Sequence, residues 1–313
     1  MRRVLVTGAT GFIGRALCER LAACGYTVRA ALRAPGDLPA GATERHIIGD
    51  IARVVDWAPV LADVDMVVHA AARTHLPTNR DADSYIAINV EGTRRLARAA
   101  RAGGVRRFVL LSSIKVNGER TENGPFRADQ PPQPEDVYGR SKLAAETALR
   151  EEAESTMSWV ILRPPLVFGP GVAANFLRLM RWIDRGLPLP FGAVCNRRSL
   201  VNLWNLTDLV QRTLEHPAAG NRVWLLADTE ALSTPQLIGR IAQALGKRAR
   251  LIAVPTGLLR LAGSLSGQTA ALARLCGSLS VDFSPTCEQL QWRPPIGVDE
   301  ALARTVAWYR SQR

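Results

Sequence analysis

Residues 7–14 read TGATGFIG and stand between a short apolar run at 4–7 and a stretch with helical spacing at 12–24. Glycines at a strand–turn–helix junction let the backbone turn sharply and approach a pyrophosphate, which then lies on the helix N-terminus. A glycine-rich turn alone is common, so the flanking strand and helix patterns make the match informative. The stretch predicts a dinucleotide-binding unit at the start of the chain.

The rest of the first half alternates short apolar runs with helical patterns. The strand-like runs are at residues 27–32, 46–48, 66–70, 108–111 and 160–162, and helical patterns cover 85–102 and 138–153. This alternation predicts an α/β fold, a Rossmann-like doubly wound parallel sheet. Beyond residue 163, prolines and glycines punctuate the chain, with helical patterns at 175–185, 235–245 and 298–310. These predict a smaller, mixed and mostly helical C-terminal substrate lobe.

The domain boundaries follow from this change of pattern. We expect residues 1–163 to form an NAD(P)-binding domain, to which residues 199–214 return. We expect residues 164–198 and 215–313 to form the second lobe, which caps the strand ends.

Composition excludes several classes of protein. The 313 residues are 47% hydrophobic, and their five cysteines form no C-x-x-C pair, so neither a disulfide framework nor a metal site is expected. The net charge of +12 suits acidic partners, but the arginines form no basic block, which argues against nucleic acid as a partner. The apolar stretch 251–279 is interrupted by Pro, Arg and Gly, so it predicts no stable membrane insertion, although an amphipathic segment lying on a surface is compatible with it. A cytoplasmic protein is the expectation.

The end of the second strand bears on the cofactor. An acid there suits the ribose 2′-hydroxyl of NAD, whereas an arginine suits the 2′-phosphate of NADP. The sequence has Arg33 and no acid until Asp37, so NADP(H) is favoured and NAD(H) is the alternative. Asp50 and Ile51 follow the third strand, where a carboxylate could bind the adenine amino group or cap the next turn.

YGRSK at residues 138–142 places Tyr138 and Lys142 on one face of a helix. An ammonium beside a phenol favours the phenolate, so we expect Lys142 to lower the pKa of Tyr138 and fit it for proton transfer. Ser112 and Ser113 end the fifth strand, at the edge where such sheets carry their sites.

Six ordered motifs together resemble the extended short-chain dehydrogenase/reductase family, in its nucleotide-sugar epimerase/dehydratase group. They are TGATGFIG (7–14), HAAA (69–72), NVEGT (89–93), SSIKVNG (112–118), YGRSK (138–142) and LRPPLVFGPG (162–171). The resemblance implies a catalytic Ser113, Tyr138 and Lys142, with Asn89 supporting the lysine through a water. The expected cofactor-binding set is Gly8, Thr10, Gly11, Phe12, Ile13, Gly14, Arg33, Asp50, Ile51, Ala70, Ala71, Ala72, Ser112, Lys142 and Pro165.

The same resemblance implies a nucleotide-sugar substrate, UDP-linked, in the second lobe. Its expected contacts are Thr74, Ser113, Tyr138, Asn175 and Arg198. Arg197 competes with Arg198 for the diphosphate. Residues 284–291 lack the arginine that the family places near the C-terminus, and Arg293 is the nearest substitute.

The resemblance leaves several reactions to compare. A 4,6-dehydratase would carry Asp-Glu after the catalytic serine, where this chain has Ile114-Lys115, so dehydration is disfavoured. SSIKVNGE (112–119) is similar to bacterial UDP-4-keto-6-deoxy-N-acetylhexosamine (quinovosamine-type) 4-reductases, and Arg33 suits an exchanging NADPH. We therefore expect 4-keto reduction in surface polysaccharide (O-antigen) biosynthesis, with a UDP-hexose or N-acetylhexosamine 4-epimerase as the alternative. A catalytically inactive cofactor-binding protein is disfavoured because Tyr138 and Lys142 are present. The family also implies a homodimer formed through helices 85–102 and 138–153.

Overall fold

The computed structural model describes residues 2–74, 82–265 and 269–312. Its strands form a seven-stranded parallel sheet in the order β3-β2-β1-β4-β5-β6-β9 and a separate parallel pair, β7-β8. In chain order they are β1 (Arg3–Thr7), β2 (Thr27–Leu32), β3 (Glu44–Ile47), β4 (Met66–His69), β5 (Arg107–Leu111), β6 (Ser158–Arg163), β7 (Leu166–Phe168), β8 (Leu200–Asn202) and β9 (Arg222–Leu225).

Twelve α-helices accompany the strands in the described part of the chain. They are α1 (Phe12–Ala23), α2 (Ala58–Leu61), α3 (Ala82–Tyr85), α4 (Gly92–Ala102), α5 (Val137–Ala153), α6 (Ala174–Asp184), α7 (Leu203–Glu215), α8 (Thr234–Ala244), α9 (Thr256–Leu265), α10 (Thr269–Cys276), α11 (Ser284–Gln289) and α12 (Val298–Ser311). A π-helical segment, Ile86–Glu91, joins α3 to α4, and short 3₁₀ segments cover Ile114–Val116 and Pro217–Ala219.

The large sheet is buried on both faces, as a parallel sheet must be. Residues such as Val4 and Val6 of β1 face the cluster made with α1 and α7, while Leu5 faces the cluster made with α4 and α5. This alternation follows from the two-residue repeat of a strand. The fold predicted from the sequence, a Rossmann-like doubly wound sheet with a smaller, mostly helical C-terminal region, is confirmed.

One strand lies outside the expected boundaries. Residues 199–214 carry β8, which pairs with β7, and α7, which packs its apolar face against the cluster that β1 and α1 share. The seventh strand is β9, which lies within residues 215–313, the range that we had given to the second lobe. A separate cluster, built mainly from α6, α8 and α12, is the core of that lobe. The division into two lobes is a proposal.

The strand order fixes where a ligand can enter. The chain moves outward from β1 through β2 to β3, then crosses back to β4 on the other side of β1. The carboxyl ends of β1 and β4 therefore flank the point where the order reverses, which is where doubly wound sheets bind ligands. No helix in the described ranges is long and apolar enough to cross a membrane.

Candidate active site

The glycines of residues 8–14 let the first turn approach its neighbours closely. Gly8 has φ +68°, and a Cβ there would lie 2.7 Å from the amide nitrogen of Ala71. A Cβ on Gly14 would lie 2.0 Å from the carbonyl oxygen of Gly8. Any side chain at either position would push the turn away from β4 or from α1. The atoms that a side chain at Gly8 would meet belong to the backbone of Ala70 and Ala71, directly after β4.

The N-terminus of α1 is left open by this turn. Gly11 is its N-cap, no side chain caps it, and its first turn carries no acid. The free amides and the positive end of the helix dipole there suit a phosphate. The residues present therefore fit the pyrophosphate of a dinucleotide. Phe12 follows the cap and packs against the cluster of α6, α8 and α12, and a Cβ on Gly171 would lie 3.3 Å from its ring.

The end of β2 presents Arg33 to solvent. Across the residues that the structure describes, no carboxylate pairs with its guanidinium. Asp50, the other residue expected near the adenosine, accepts a hydrogen bond from the amide of Ala52 at 3.0 Å, which is the capping role considered from the sequence. Ile51 is buried and contacts Gly92 at the start of α4.

A buried hydrogen-bond chain leads from the nucleotide turn toward α5. Thr7 Oγ1 lies 2.6 Å from Nδ1 of His69, whose Nε2 lies 3.0 Å from Thr93 Oγ1. Thr93 in turn donates to the carbonyl oxygen of Asn89 at 2.7 Å. Because the Thr93 hydroxyl donates its hydrogen to Asn89, it can only accept a hydrogen bond from His69. His69 must therefore carry its proton on Nε2. Burial, helped by the nearby Lys142 ammonium, lowers the pKa of His69 to about 3, so the ring stays neutral.

Asn89 joins this chain to the catalytic helix. Its side-chain oxygen accepts from the amide of Arg73 at 2.8 Å, and its Nδ2 donates to the Arg73 carbonyl and to Ser141 Oγ. Ser141 then donates to the carbonyl oxygen of Tyr138. The structure shows this side chain holding the backbone of Arg73 and, through Ser141, that of Tyr138. Its support of Lys142 through a water stays a prediction. Asn89 stands in the π-helical segment, a geometry frequent at functional sites.

Tyr138 and Ser113 come together at the carboxyl edge, as predicted. Burial raises the pKa of Tyr138 to about 12, although its hydrogen bond with Ser113 acts in the opposite direction. The expected lowering of this pKa by Lys142 is wrong: desolvation of the phenolate raises the pKa, and the lowering that opposes it comes from Ser113. Tyr85 packs edge-on against the Tyr138 ring at 6.3 Å and donates to the carbonyl oxygen of Thr74.

Lys142 is 2% exposed, and burial lowers the pKa of its ammonium to about 8 although Glu146 raises it. Glu146 is itself fully buried and is held by Arg163 through two bonds of 2.8 and 2.6 Å. It also accepts the Ser112 hydroxyl at 2.5 Å. The hydroxyl of Ser112, which was expected to contact the cofactor, thus donates its hydrogen bond to a buried side chain of the protein. The buried carboxylate below Lys142 keeps one negative charge beside the lysine.

Lys115 occupies the place where a dehydratase would carry an acid, and its ammonium is engaged. It donates to Glu119 and to Asp136 at 2.5 Å each. The other oxygen of Asp136 caps α5 by accepting from the amide of Gly139. Although burial opposes the change, the bond from Lys115 lowers the pKa of Asp136. Lys115 therefore fixes the turn that presents Tyr138 and is bound to two carboxylates.

The second lobe brings two arginines together near this edge. Arg198 donates to the carbonyl oxygen of Gly277 at 2.9 Å, and burial lowers its pKa, as does the charge of Arg274. Arg274 on α10 pairs with Glu119, whose charge also acts on Arg198. Two guanidiniums beside a single carboxylate leave a net positive charge, and their planar donor groups suit phosphate oxygens.

The remaining predicted contacts are more exposed. Asn175 is the second residue of α6 and is exposed, and its side-chain oxygen accepts a hydrogen bond from Arg178. Arg197 is exposed beside Arg198. Arg293, the substitute expected for the C-terminal arginine, is exposed. Its charge acts to lower the pKa of Cys287, which packs against the cluster of α1 and α7. The cation beside Arg198 is Arg274.

Sequence reasoning thus missed Arg274, Glu119 and the role of Lys115. Arg274 was overlooked because the search was confined to residues 284–291, although it is the arginine that precedes the Cys-Gly turn leading back toward Arg198. Glu119 carried a signal in its i, i+4 spacing from Lys115.

Comparison with known proteins agrees with this geometry. The sequence profile of the NAD dependent epimerase/dehydratase family matches residues 4–227. The UDP-glucose 4-epimerase of Vibrio cholerae is 41% identical over 311 residues, which cover 97% of this chain and 94% of that protein. The N-acetyl-alpha-D-glucosaminyl-diphospho-ditrans,octacis-undecaprenol 4-epimerase of Escherichia coli O157:H7 is 30% identical over 263 residues, covering 83% and 77%. The solved structure of MoeE5 in complex with UDP-glucuronic acid and NAD has a TM-score of 0.80 and 28% identity, covering 99% of this chain and 100% of that one.

Proposed function

The chain belongs to the NAD dependent epimerase/dehydratase family, as its motifs predicted, and from that premise we propose that it is a 4-epimerase of a UDP-linked hexose or N-acetylhexosamine. The observation that carries the proposal is the contact of Ser113 with Tyr138 one helical turn before the buried Lys142. The 41% identity to a protein named UDP-glucose 4-epimerase supports C4 as the reacting carbon.

The nucleotide turn would hold NAD, which when bound would accept the hydride of C4 and return it to the opposite face of that carbon. Tyr138 takes the proton of the C4 hydroxyl, and Ser113 donates a hydrogen bond to the same oxygen as the carbonyl forms. Because burial holds the Tyr138 pKa at about 12, the phenolate requires a cation at Lys142. The 4-keto sugar then turns its other face toward the cofactor site, and Tyr138 returns the proton to the C4 oxygen of the epimer.

The diphosphate of the substrate would lie on Arg198 and Arg274. Their planar guanidiniums match phosphate oxygens, and Glu119 keeps Arg274 beside Arg198. Asn175 at the start of α6 and Thr74 beside Tyr85 complete the proposed contacts. The relative named for an undecaprenol-linked N-acetylglucosamine supports a place in surface polysaccharide synthesis.

A second candidate, the NADPH-dependent 4-ketoreductase, is favoured by two specific observations. Arg33 stands exposed at the end of β2, in reach of a 2′-phosphate. Tyr138 with a pKa of about 12 is a proton donor as it stands, which is what reduction of a 4-keto sugar needs. Against it, the compared structure holds NAD and both compared relatives are named as epimerases. We therefore rank the reductase second.

One experiment separates the two reactions. Purified protein is given a 4-hydroxy UDP-hexose without added cofactor in one tube, and NADPH with a UDP-4-keto-6-deoxy-N-acetylhexosamine in another. The epimerase interconverts gluco and galacto forms in the first tube with no net change of cofactor. Consumption of NADPH in the second tube, with nothing in the first, would refute the epimerase and leave the reductase.

The same assay tests the roles of single residues. Tyr138→Phe should lower turnover by ~10²–10⁴-fold with little change in substrate affinity, since positioned proton transfer contributes about that much. Full turnover by that variant would refute the role of Tyr138 as the group that moves the proton. Arg33→Ala is expected to leave NAD affinity unchanged under the epimerase proposal. If Arg33→Ala instead abolishes a marked preference for NADPH, that result favours the 4-ketoreductase over the epimerase.

Two further proposals accompany this one. We propose that residues 1–163 with 199–225 form the cofactor-binding half and that the rest forms the nucleotide-sugar half. We also propose a homodimer through α4 and α5, with light scattering as its test: a 34.0 kDa particle would refute it.

A further inference from the structure

One surface of the second lobe combines exposed apolar side chains with cations. Leu187 is 42% exposed, Ile252 51%, Leu258 58% and Leu261 57%. Large side chains this exposed, when they fall together, usually mark an interaction site. Leu258 and Leu261 share one face of α9 because they are three residues apart.

The backbone places Leu187 and Ile252 on neighbouring segments. Leu189 and Leu251 form a parallel bridge, in which the Leu189 amide donates to the carbonyl of Arg250 and the Ile252 amide to the carbonyl of Leu189. Leu251 packs against the core of the lobe, so the alternation of an extended segment turns Arg250 and Ile252 outward. The exposed side chains are therefore features of an ordered edge.

The charge of this face is of one sign. Residues 231–281 contain no aspartate or glutamate, and neither do residues 185–207. Arg185, Arg248 and Arg250 are exposed, and none has a carboxylate within ion-pair distance among the residues described. Lys247 is the cation here with a partner: it binds Asp184, which is buried and also holds Tyr309. Exposed arginines without acids, interleaved with leucine and isoleucine, match an anionic apolar interface.

We propose that this face, made of Arg185, Leu187, Arg248, Arg250, Ile252 and the outer face of α9, docks the protein on an anionic lipid surface. The arginines bind the headgroups, and the leucines and isoleucine enter the boundary between headgroups and acyl chains. A neutral partner would leave three guanidiniums unpaired and a basic one would be repelled, so the charge of the face favours an anionic partner. The leucines and isoleucine between the arginines favour a lipid surface, which offers acyl chains beside its anionic headgroups. The protein would lie on the membrane.

The test uses the full chain and vesicles of phosphatidylcholine alone or mixed with phosphatidylglycerol. Co-sedimentation should occur with the anionic vesicles, weaken with salt and be absent with phosphatidylcholine alone. The double variant Arg250→Ala, Ile252→Ser should lower the partition coefficient at least ~10-fold, since one cation near the surface is itself worth about fivefold. The matched control is Arg53→Ala, Val54→Ser, which removes another exposed arginine and the 90% exposed Val54 from a different surface. It should leave the partition coefficient unchanged.

Three results would overturn the proposal. These are no sedimentation with anionic vesicles at low salt, equal losses in the two double variants, or a change of oligomeric state by Arg250→Ala, Ile252→Ser in lipid-free solution. The last would assign the face to a second copy of the chain. Equal unfolding temperatures of the two variants check that a loss of binding is not a loss of fold.

Discussion

Replacing Lys142 with methionine is expected to stabilise the cofactor-free protein near neutral pH while removing its activity. The side chain is 2% exposed, and burial is the main cause that brings its pKa from 10.5 to about 8. Methionine has a similar length and no charge to desolvate. A residue kept for its chemistry is thus expected to oppose folding, as functional sites often do.

The magnitude follows from the two pKa values. A fall of about 2.5 in pKa corresponds to ~3.4 kcal/mol at 1.36 kcal/mol for each pKa step. Because the folded value lies below the unfolded one, the unfolded chain binds more protons between pH 8 and 10.5, and the wild-type protein gains stability as pH rises through that window. Below pH 8 both states hold the proton and the whole cost of burying it remains. The advantage of methionine is therefore greatest below pH 8.

Urea unfolding at pH 7.0 and pH 9.5 measures the effect. The stability gained by Lys142→Met should shrink by about 2 kcal/mol between these two pH values. Lys247→Met is the matched control, since that side chain is 41% exposed and carries no comparable desolvation cost. If Lys142→Met changes stability equally at both pH values, the ammonium is not desolvated and the reasoning fails.

Three further substitutions test the site. Gly14→Ala should abolish cofactor binding in calorimetry and lower the free energy of unfolding by about 1–3 kcal/mol, because its Cβ would lie 2.0 Å from a backbone oxygen. The control Gly239→Ala has open space around its Cβ and should keep both cofactor binding and stability. Arg274→Ala should raise KM for the UDP-sugar about 10–100-fold with little change in kcat, while an equal rise in Arg293→Ala would return the diphosphate contact to that residue. Arg163→Met should destabilise the protein by about 3–5 kcal/mol in urea unfolding, since it removes the two short bonds to the buried Glu146 and leaves that carboxylate with Ser112 and a 3.5 Å contact to Arg150. A loss under 1 kcal/mol would contradict the importance of the buried pair.

The sheet could be predicted because most of its strands contain a short local run of apolar residues. In β1, β2, β4, β5 and β6 these runs alternate with helical patterns, which is typical of a doubly wound sheet. β9 escaped prediction because it holds four residues, begins with Arg222 and pairs with a strand about sixty residues earlier. The pairing of β9 with so distant a strand depends on tertiary packing, which the local sequence pattern does not reveal.

The site divides in the same way. Tyr138, Lys142 and Ser113 were found because their spacing is a property of one helix and one strand end. The direction of the Tyr138 pKa was wrong because it depends on burial, which the sequence does not display. The link between Arg274 and Arg198 was invisible for the same reason: Glu119 brings them together across more than seventy residues.

The pairing of β6 with β9 has a consequence for how the chain is made. During synthesis, β6 leaves the ribosome long before β9, and until residue 225 emerges its outer edge offers unpaired amides and carbonyls to any other strand. The face of the sheet covered by α7 is bare for much of the same interval. A non-local closure of this kind folds slowly. Truncated or stalled chains that end before residue 225 are therefore the species expected to aggregate, and the ones for which a cell would need a chaperone.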